Sequence, residues 1–113
     1  MMKKIEAVIR EEKLDAVRLA LEEKKFCGLT VSRVEGRGQQ KGISLQWRVG
    51  EYRVEFLPKL KLEIVVRDED CQPVIDAILK SAKTGRIGDG KIFILPVEDV
   101  IRIRTGESGD TVI

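Results

Sequence analysis

Residues 3–21, KKIEAVIREEKLDAVRLAL, and residues 60–78, LKLEIVVRDEDCQPVIDAI, are two versions of one pattern, offset by 57. Glu6 falls on Glu63, Val8 on Val65, Arg10 on Arg67, Glu12 on Glu69, Val17 on Val74 and Ala20 on Ala77. Each copy opens as an apolar strand and passes through acidic residues that suit a helix N-terminus. Each then continues with apolar residues at helical spacing, Leu14, Val17 and Leu21 in one, Val74, Ala77 and Ile78 in the other. Pro73 is expected in the first turn of its helix, where a missing N–H is tolerated. Gly28 and Gly85 are the expected stops, and a strand follows each, Leu29 to Val34 and Lys91 to Leu95. The unit is βαβ, twice. Two such units in 113 residues predict a single α+β domain, a ferredoxin-like βαββαβ sandwich with its helices on one face of an antiparallel sheet.

The other sheet face needs a cover. Leu60, Leu62, Ile64, Ile92 and Ile94 form one apolar set, while Val65, Val66 and Phe93 leave the alternate set partly apolar, which predicts a homo-oligomer. Between strands two and three runs GRGQQKGISLQWRVGEYRVEFLP, residues 36–58. A connection of that length is usually functional. Trp47, Tyr52, Phe56 and basic residues spaced among Gly38, Gly42 and Gly50 suggest a partner-binding loop at about residues 37–57. The plain alternative is a solvated hairpin that extends the two strands.

Composition excludes several classes. Lys and Arg total 21 against 19 Asp and Glu, so the net charge of +2 offers no basic footprint for nucleic acid. There is no His, and Cys27 and Cys71 are too few and too far apart for a zinc ribbon, so reduced cytosolic thiols are expected. The N-terminal apolar stretch is short and meets charge at Arg10, unlike a signal peptide or a span. A cytoplasmic protein without membrane insertion is the expectation.

Residues 84–93, TGRIGDGKIF, resemble a phosphate loop without being one. Gly85 and Gly90-Lys91 meet the first seven positions of G-x-x-x-x-G-K-[ST], but the eighth is Ile92 and a strand follows in place of a helix. Glycines that allow close backbone approach, with a lysine beside them, still suit phosphate oxygens. Gly36-x-Gly38 is followed by Gly42, so the dinucleotide fingerprint is not met. Arg102 and Arg104, two apart, are expected on one side of a strand.

TGRIGDGKIFILPVEDVIRIRTGE, with MKKIEAVIR, GLTVSRVEGRGQQKG and EYRVEFLPKLKLEIVV, resembles the PII signal-transduction proteins, the trimeric nitrogen and carbon sensors of bacteria, archaea and plastids. The similarity runs from Lys3 to Glu107. It implies a homotrimer that binds ATP or ADP between subunits, with Gly88, Asp89, Gly90 and Lys91 around the phosphates. By the same resemblance Arg102 and Arg104 reach those phosphates, Gly36 and Gly38 lie along the nucleotide, and Thr30 contacts the base. Gln40 matches the ligand of the Mg²⁺ held by ATP, and 2-oxoglutarate completes that ion's coordination. Gln40, Lys41 and Gly42 then offer the keto acid backbone donors, Lys59 its distal carboxylate partner, and Arg10 lies near the same site. Tyr52 matches a tyrosine that is uridylylated in some bacteria, whereas Gly50 stands where some cyanobacteria phosphorylate a serine. Gln39 replaces a frequent arginine, and Glu11-Glu12 a common Pro-Phe or Pro-Glu.

The implied function is sensing rather than catalysis. ATP, ADP and 2-oxoglutarate would set the long loop for an ammonium channel, a nitrogen-assimilation enzyme or a regulator. One alternative is an RNA-binding module of the same βαββαβ order, which would need aromatics on its central strands, and LKLEIVV has none. Another is a PII-like protein with a divergent effector. A hydrolase is disfavoured, since no His and no paired carboxylates with a cleft signature occur.

Overall fold

The computed structural model describes residues 1–36 and 57–113. Its elements are strand β1 (Met2–Ile9), a 3₁₀ turn (Glu11–Lys13), helix α1 (Leu14–Glu23), strand β2 (Thr30–Gly36), strand β3 (Leu57–Arg67), helix α2 (Asp68–Ala82) and strand β4 (Lys91–Val97). The strands form one antiparallel sheet in the order β2-β3-β1-β4, the predicted ferredoxin-like arrangement. Both helices lie on one face. The core is the alternate set of strand residues, Ile5, Ala7 and Ile9 with Leu60, Leu62, Ile64 and Val66, closed by Val17 and Leu21 of α1 and Val74, Ala77 and Ile78 of α2. Val66 therefore belongs to the helix-facing set. The open face keeps Val8, Val65, Phe93 and Leu95, paired in register with Lys91, Lys4 and Glu6.

β1 and β3 meet with Glu6 opposite Glu63. Those residues are also equivalents under the offset of 57, so the local twofold of the duplication passes between them. Like charges directly opposite on a sheet repel. Lys4 resolves the conflict, with its Nζ 3.1 Å from Glu6 and 2.6 Å from Glu63. The hydrogen bond from Lys4 is the main reason that the Glu63 carboxyl sits below its usual range, and Lys4 is raised in return.

Three local expectations are corrected. Pro73 is the sixth residue of α2, not in the first turn, because the acidic run Asp68-Glu69-Asp70 starts the helix at Asp68. The helix forgoes one bond to the Glu69 carbonyl there. Gly28 does not stop α1. Lys25 does, at φ 70°, with its N–H on Glu22 O (2.9 Å) and the Phe26 N–H on Leu21 O (2.9 Å), a Schellman closure built without glycine. β2 spans Thr30–Gly36, one residue later at its start and two at its end than the pattern suggested.

Candidate anion-binding site

β1 ends at Ile9, so Arg10 stands at the corner where strand becomes helix. The chain that returns from α2 enters β4 at Lys91, and Lys91 pairs with Val8. That register draws the preceding loop, residues 83–90, across the Arg10 corner. Two glycines make the approach possible. A Cβ on Gly90 (φ 101°) would lie 1.7 Å from the Val8 carbonyl oxygen, and one on Gly88 (φ 106°) would lie 3.1 Å from an Arg10 nitrogen.

Asp89 knots the loop together. Its Oδ2 accepts the Thr84 N–H (2.8 Å) and the Gly85 N–H (2.9 Å), while Oδ1 accepts the Thr84 hydroxyl and Arg10 Nε (3.0 Å). The Thr84 hydroxyl first, then the Thr84 N–H, Arg10 and the Gly85 N–H hold the Asp89 carboxyl far below the usual carboxylate range. Arg10 also donates Nη2 to the Ile87 carbonyl at 2.9 Å. From the other side comes Lys59. It is 7% exposed, the one charged residue buried among those described, and its Nζ donates to the Gly88 carbonyl. Its stem packs on Gly36, whose Cα would carry a Cβ 3.5 Å from Lys59 Cγ. Burial, and then the charge of Arg10, lowers the Lys59 pKa, with Glu12 and Asp89 opposing.

Arg10, Gly36, Lys59, Gly88, Asp89, Gly90 and Lys91 are thus brought to one end of the sheet. Two cations meet there, and Lys59 holds a neutral carbonyl in place of a carboxylate among the described residues. A site of that kind attracts an anion. Beside it, α2 and β4 enclose a mostly apolar cleft of about 400 Å³ lined by Ile78, Leu79, Asp89, Gly90, Lys91 and Ile92. Thr30 is elsewhere, opposite Glu63 at the far end of β2 from Gly36. Arg102 and Arg104 are not on a strand. Ile101 makes only an isolated bridge to Ser108, and a turn closes with the Gly106 N–H on Arg102 O and Arg102 Nη1 on Glu107 (2.9 Å). The short polar sequence Thr-Gly-Glu bends the chain where an extended run was expected. Gly38, Gln40, Lys41, Gly42 and Tyr52 lie outside the described residues.

The family model "Nitrogen regulatory protein P-II" matches residues 2–107. The chain belongs to the PII family. "Nitrogen regulatory protein P-II 2" of Methanothermobacter thermautotrophicus is 57% identical over 108 residues, 96% of this chain and 94% of that one. "Nitrogen regulatory protein P-II" of Nostoc punctiforme is 59% identical over 106 residues, 94% of this chain and 95% of that one. A crystal structure of Arabidopsis thaliana PII bound to citrate aligns with a TM-score of 0.80 at 42% identity, over 97% of this chain and 90% of that one. Glu11 has a partner, the Arg33 guanidinium on β2. Sequence reasoning missed Thr84, although it opens the quoted glycine stretch. The signal was present: a Thr-Gly pair five residues ahead of an aspartate is turn chemistry of the Ser/Thr and Asx kind.

Proposed function

We propose that this PII protein is a non-enzymatic sensor that binds ATP or ADP competitively, admits 2-oxoglutarate with Mg-ATP, and signals through its long loop, about residues 37–57. The observation that carries this reading is the buried Lys59 ammonium, which grips the glycine loop beside the Arg10–Asp89 pair and has no carboxylate partner of its own among the described residues. Nucleotide phosphates would take Gly88, Gly90 and Lys91, with Asp89 shaping the loop. Thr30, Arg102 and Arg104 of a neighbouring subunit would complete the site, which makes a homotrimer part of the proposal. The described residues contain no group of His, Cys, Asp and Glu that could hold a metal, so Mg²⁺ would arrive on the phosphates and take Gln40 as a ligand. The keto acid would use Arg10, Gln40, Lys41, Gly42 and Lys59. A relative crystallised with citrate, a polycarboxylate, supports an anion of this type.

Targets of the loop would be an ammonium channel, a nitrogen-assimilation enzyme or its regulator, with Tyr52 a candidate for modification. A cytoplasmic location is part of the proposal; no described helix is long and apolar enough to cross a membrane. RNA binding is disfavoured by the open face of the central strands, where Lys4, Glu6, Lys61 and Glu63 stand in place of stacking aromatics.

Two lysines test the reading, once light scattering has measured a trimeric mass. Lys91→Ala should weaken nucleotide and everything that depends on it, whereas Lys59→Ala should spare ATP and cost 2-oxoglutarate about 2 to 5 kcal/mol, thirtyfold or more. An exposed lysine without a ligand would cost well under about 1 kcal/mol. Calorimetry with ATP, then 2-oxoglutarate, separates them. Unchanged 2-oxoglutarate affinity in Lys59→Ala, or equal loss of ATP in both variants, would refute the site.

A further inference from the structure

The two oxygens of Asp89 divide their work. Oδ2 takes only backbone donors, the Thr84 and Gly85 N–H groups, and so closes the turn. Oδ1 takes the Thr84 hydroxyl and Arg10 Nε. The hydroxyl therefore adds to the two N–H groups on Oδ2 in holding the carboxylate's rotation about its Cβ–Cγ bond, and Oδ1 in turn orients the plane of the guanidinium. That plane is fixed at a second point by the Ile87 carbonyl, 2.9 Å from Nη2, which leaves Nη1 as the Arg10 nitrogen with no protein acceptor among the described residues. Gly88 packs against the same guanidinium and accepts from Lys59, so the two cations hold successive carbonyls of the loop, Ile87 and Gly88.

We infer that Thr84 and Asp89 are positioning residues: the chain Thr84 hydroxyl, Asp89 Oδ1, Arg10 Nε presents Nη1 of Arg10, together with Lys59, to a dicarboxylate. The inference rests on the 2-oxoglutarate reading above. Ordering a long cationic side chain before the ligand arrives removes an entropic cost from binding. The consequence is selective. Loss of the Thr84 hydroxyl leaves both backbone bonds to Oδ2 in place, so the nucleotide loop keeps its shape while Oδ1 loses one of its two donors and orients Arg10 less firmly.

The test uses the full chain with Thr84→Val and Thr84→Ser. Thr84→Val should lose fivefold or more in 2-oxoglutarate affinity measured with Mg-ATP, with ATP affinity within threefold of the parent, and Thr84→Ser should restore the keto acid. An unchanged 2-oxoglutarate affinity in Thr84→Val overturns the inference. So does an equal loss of ATP, which would mark a loop-wide effect, or an equal defect in Thr84→Ser, which would mark packing of the methyl group. A separate readout keeps this distinct from the parent reading. The Arg10 Nε–H proton should give a resolved, slowly exchanging NMR signal in the ligand-free parent and in Thr84→Ser, and exchange measurably faster in Thr84→Val. A parent that binds no 2-oxoglutarate refutes the proposed function, while the positioning chain stands or falls on that proton: identical behaviour in all three proteins overturns it.

Discussion

Arg10 and Arg67 occupy equivalent corners of the duplicated fold, each at the end of a central strand and the start of a helical segment. Each guanidinium reaches one carbonyl and one aspartate. Arg10 takes Ile87 O at 2.9 Å and Asp89 at 3.0 Å, and its side chain is 19% exposed. Arg67 takes Asp110 O at 3.3 Å and the Asp110 carboxylate at 3.7 Å, and is 42% exposed. Val8 and Ile9 line the cleft at the first corner, and their equivalents Val65 and Val66 line a smaller one, about 300 Å³, at the second. One frame has given two outcomes. The difference lies in what crosses each corner, a glycine loop locked by β4 pairing in one case and the C-terminal segment on the surface in the other. Duplication supplies the arginine, but only close backbone approach turns it into part of a site.

The glycine loop is the place to break that contrast. Gly90→Ala puts a Cβ into the Val8 carbonyl at a left-handed φ, and should cost about 3 kcal/mol in denaturant unfolding at fixed protein concentration. Gly28→Ala, on the other half with open space around it, should stay within about 0.5 kcal/mol. If the two variants unfold alike, the loop is not held by the approach described.

The arginines themselves come next. Arg10→Ala strips Asp89 of a charged donor and should destabilise by about 2 kcal/mol. Arg67→Ala removes a long, exposed pair and should cost about 0.5 kcal/mol or less. Equal midpoint shifts in urea would erase the distinction between the corners.

Acid should act on the first corner through Asp89. Its folded pKa is depressed, so its stabilisation is fully present above the ordinary aspartate value, about 3.9, and is lost as pH falls through that value toward the folded one. Asp89→Asn should therefore be less stable than the parent at neutral pH, with the gap closing below about pH 4. A gap that stays constant from pH 7 to pH 3 would contradict this. The smallest effect belongs to the end of α1. Lys25→Gly relieves a lysine at φ 70° and should raise stability by about 0.5 to 1 kcal/mol, visible as a modest rise in Tm. A fall in Tm would mean that the lysine stem contributes more by packing than its backbone costs.

Much of this was legible in the chain. The offset of 57 fixed the two βαβ units, and alternation along LKLEIVV chose the buried face correctly at Leu60, Leu62 and Ile64, though Val66 belongs with them. Gly85, Gly90 and Lys91 were named from their spacing and Arg10, Lys59, Gly88 and Asp89 from the resemblance to PII proteins, and Arg10, Lys59, Gly88 and Asp89 do converge. Less visible was what they do to one another. Asp89 reads as a phosphate-loop residue, yet among the described residues it accepts four hydrogen bonds from the chain itself. Arg102 and Arg104 read as a strand because alternation is a local signal, while the turn to Glu107 depends on partners several residues away.

The sequence by itself determined the periodicities, and with them the two helices, the four sheet strands and most of their buried faces, since side-chain burial follows repeats of 2 and 3.6 that need no knowledge of neighbours. It also determined which residues could serve an anion. Only the tertiary structure decided that Lys59 is buried without a carboxylate among the described residues and that Arg10 is tied to the glycine loop. Those facts arise from the pairing of Val8 with Lys91 and of Val34 with Lys59, contacts between residues 83 and 25 positions apart. Desolvation and hydrogen-bond competition are set by such non-local contacts, and no local pattern encodes them.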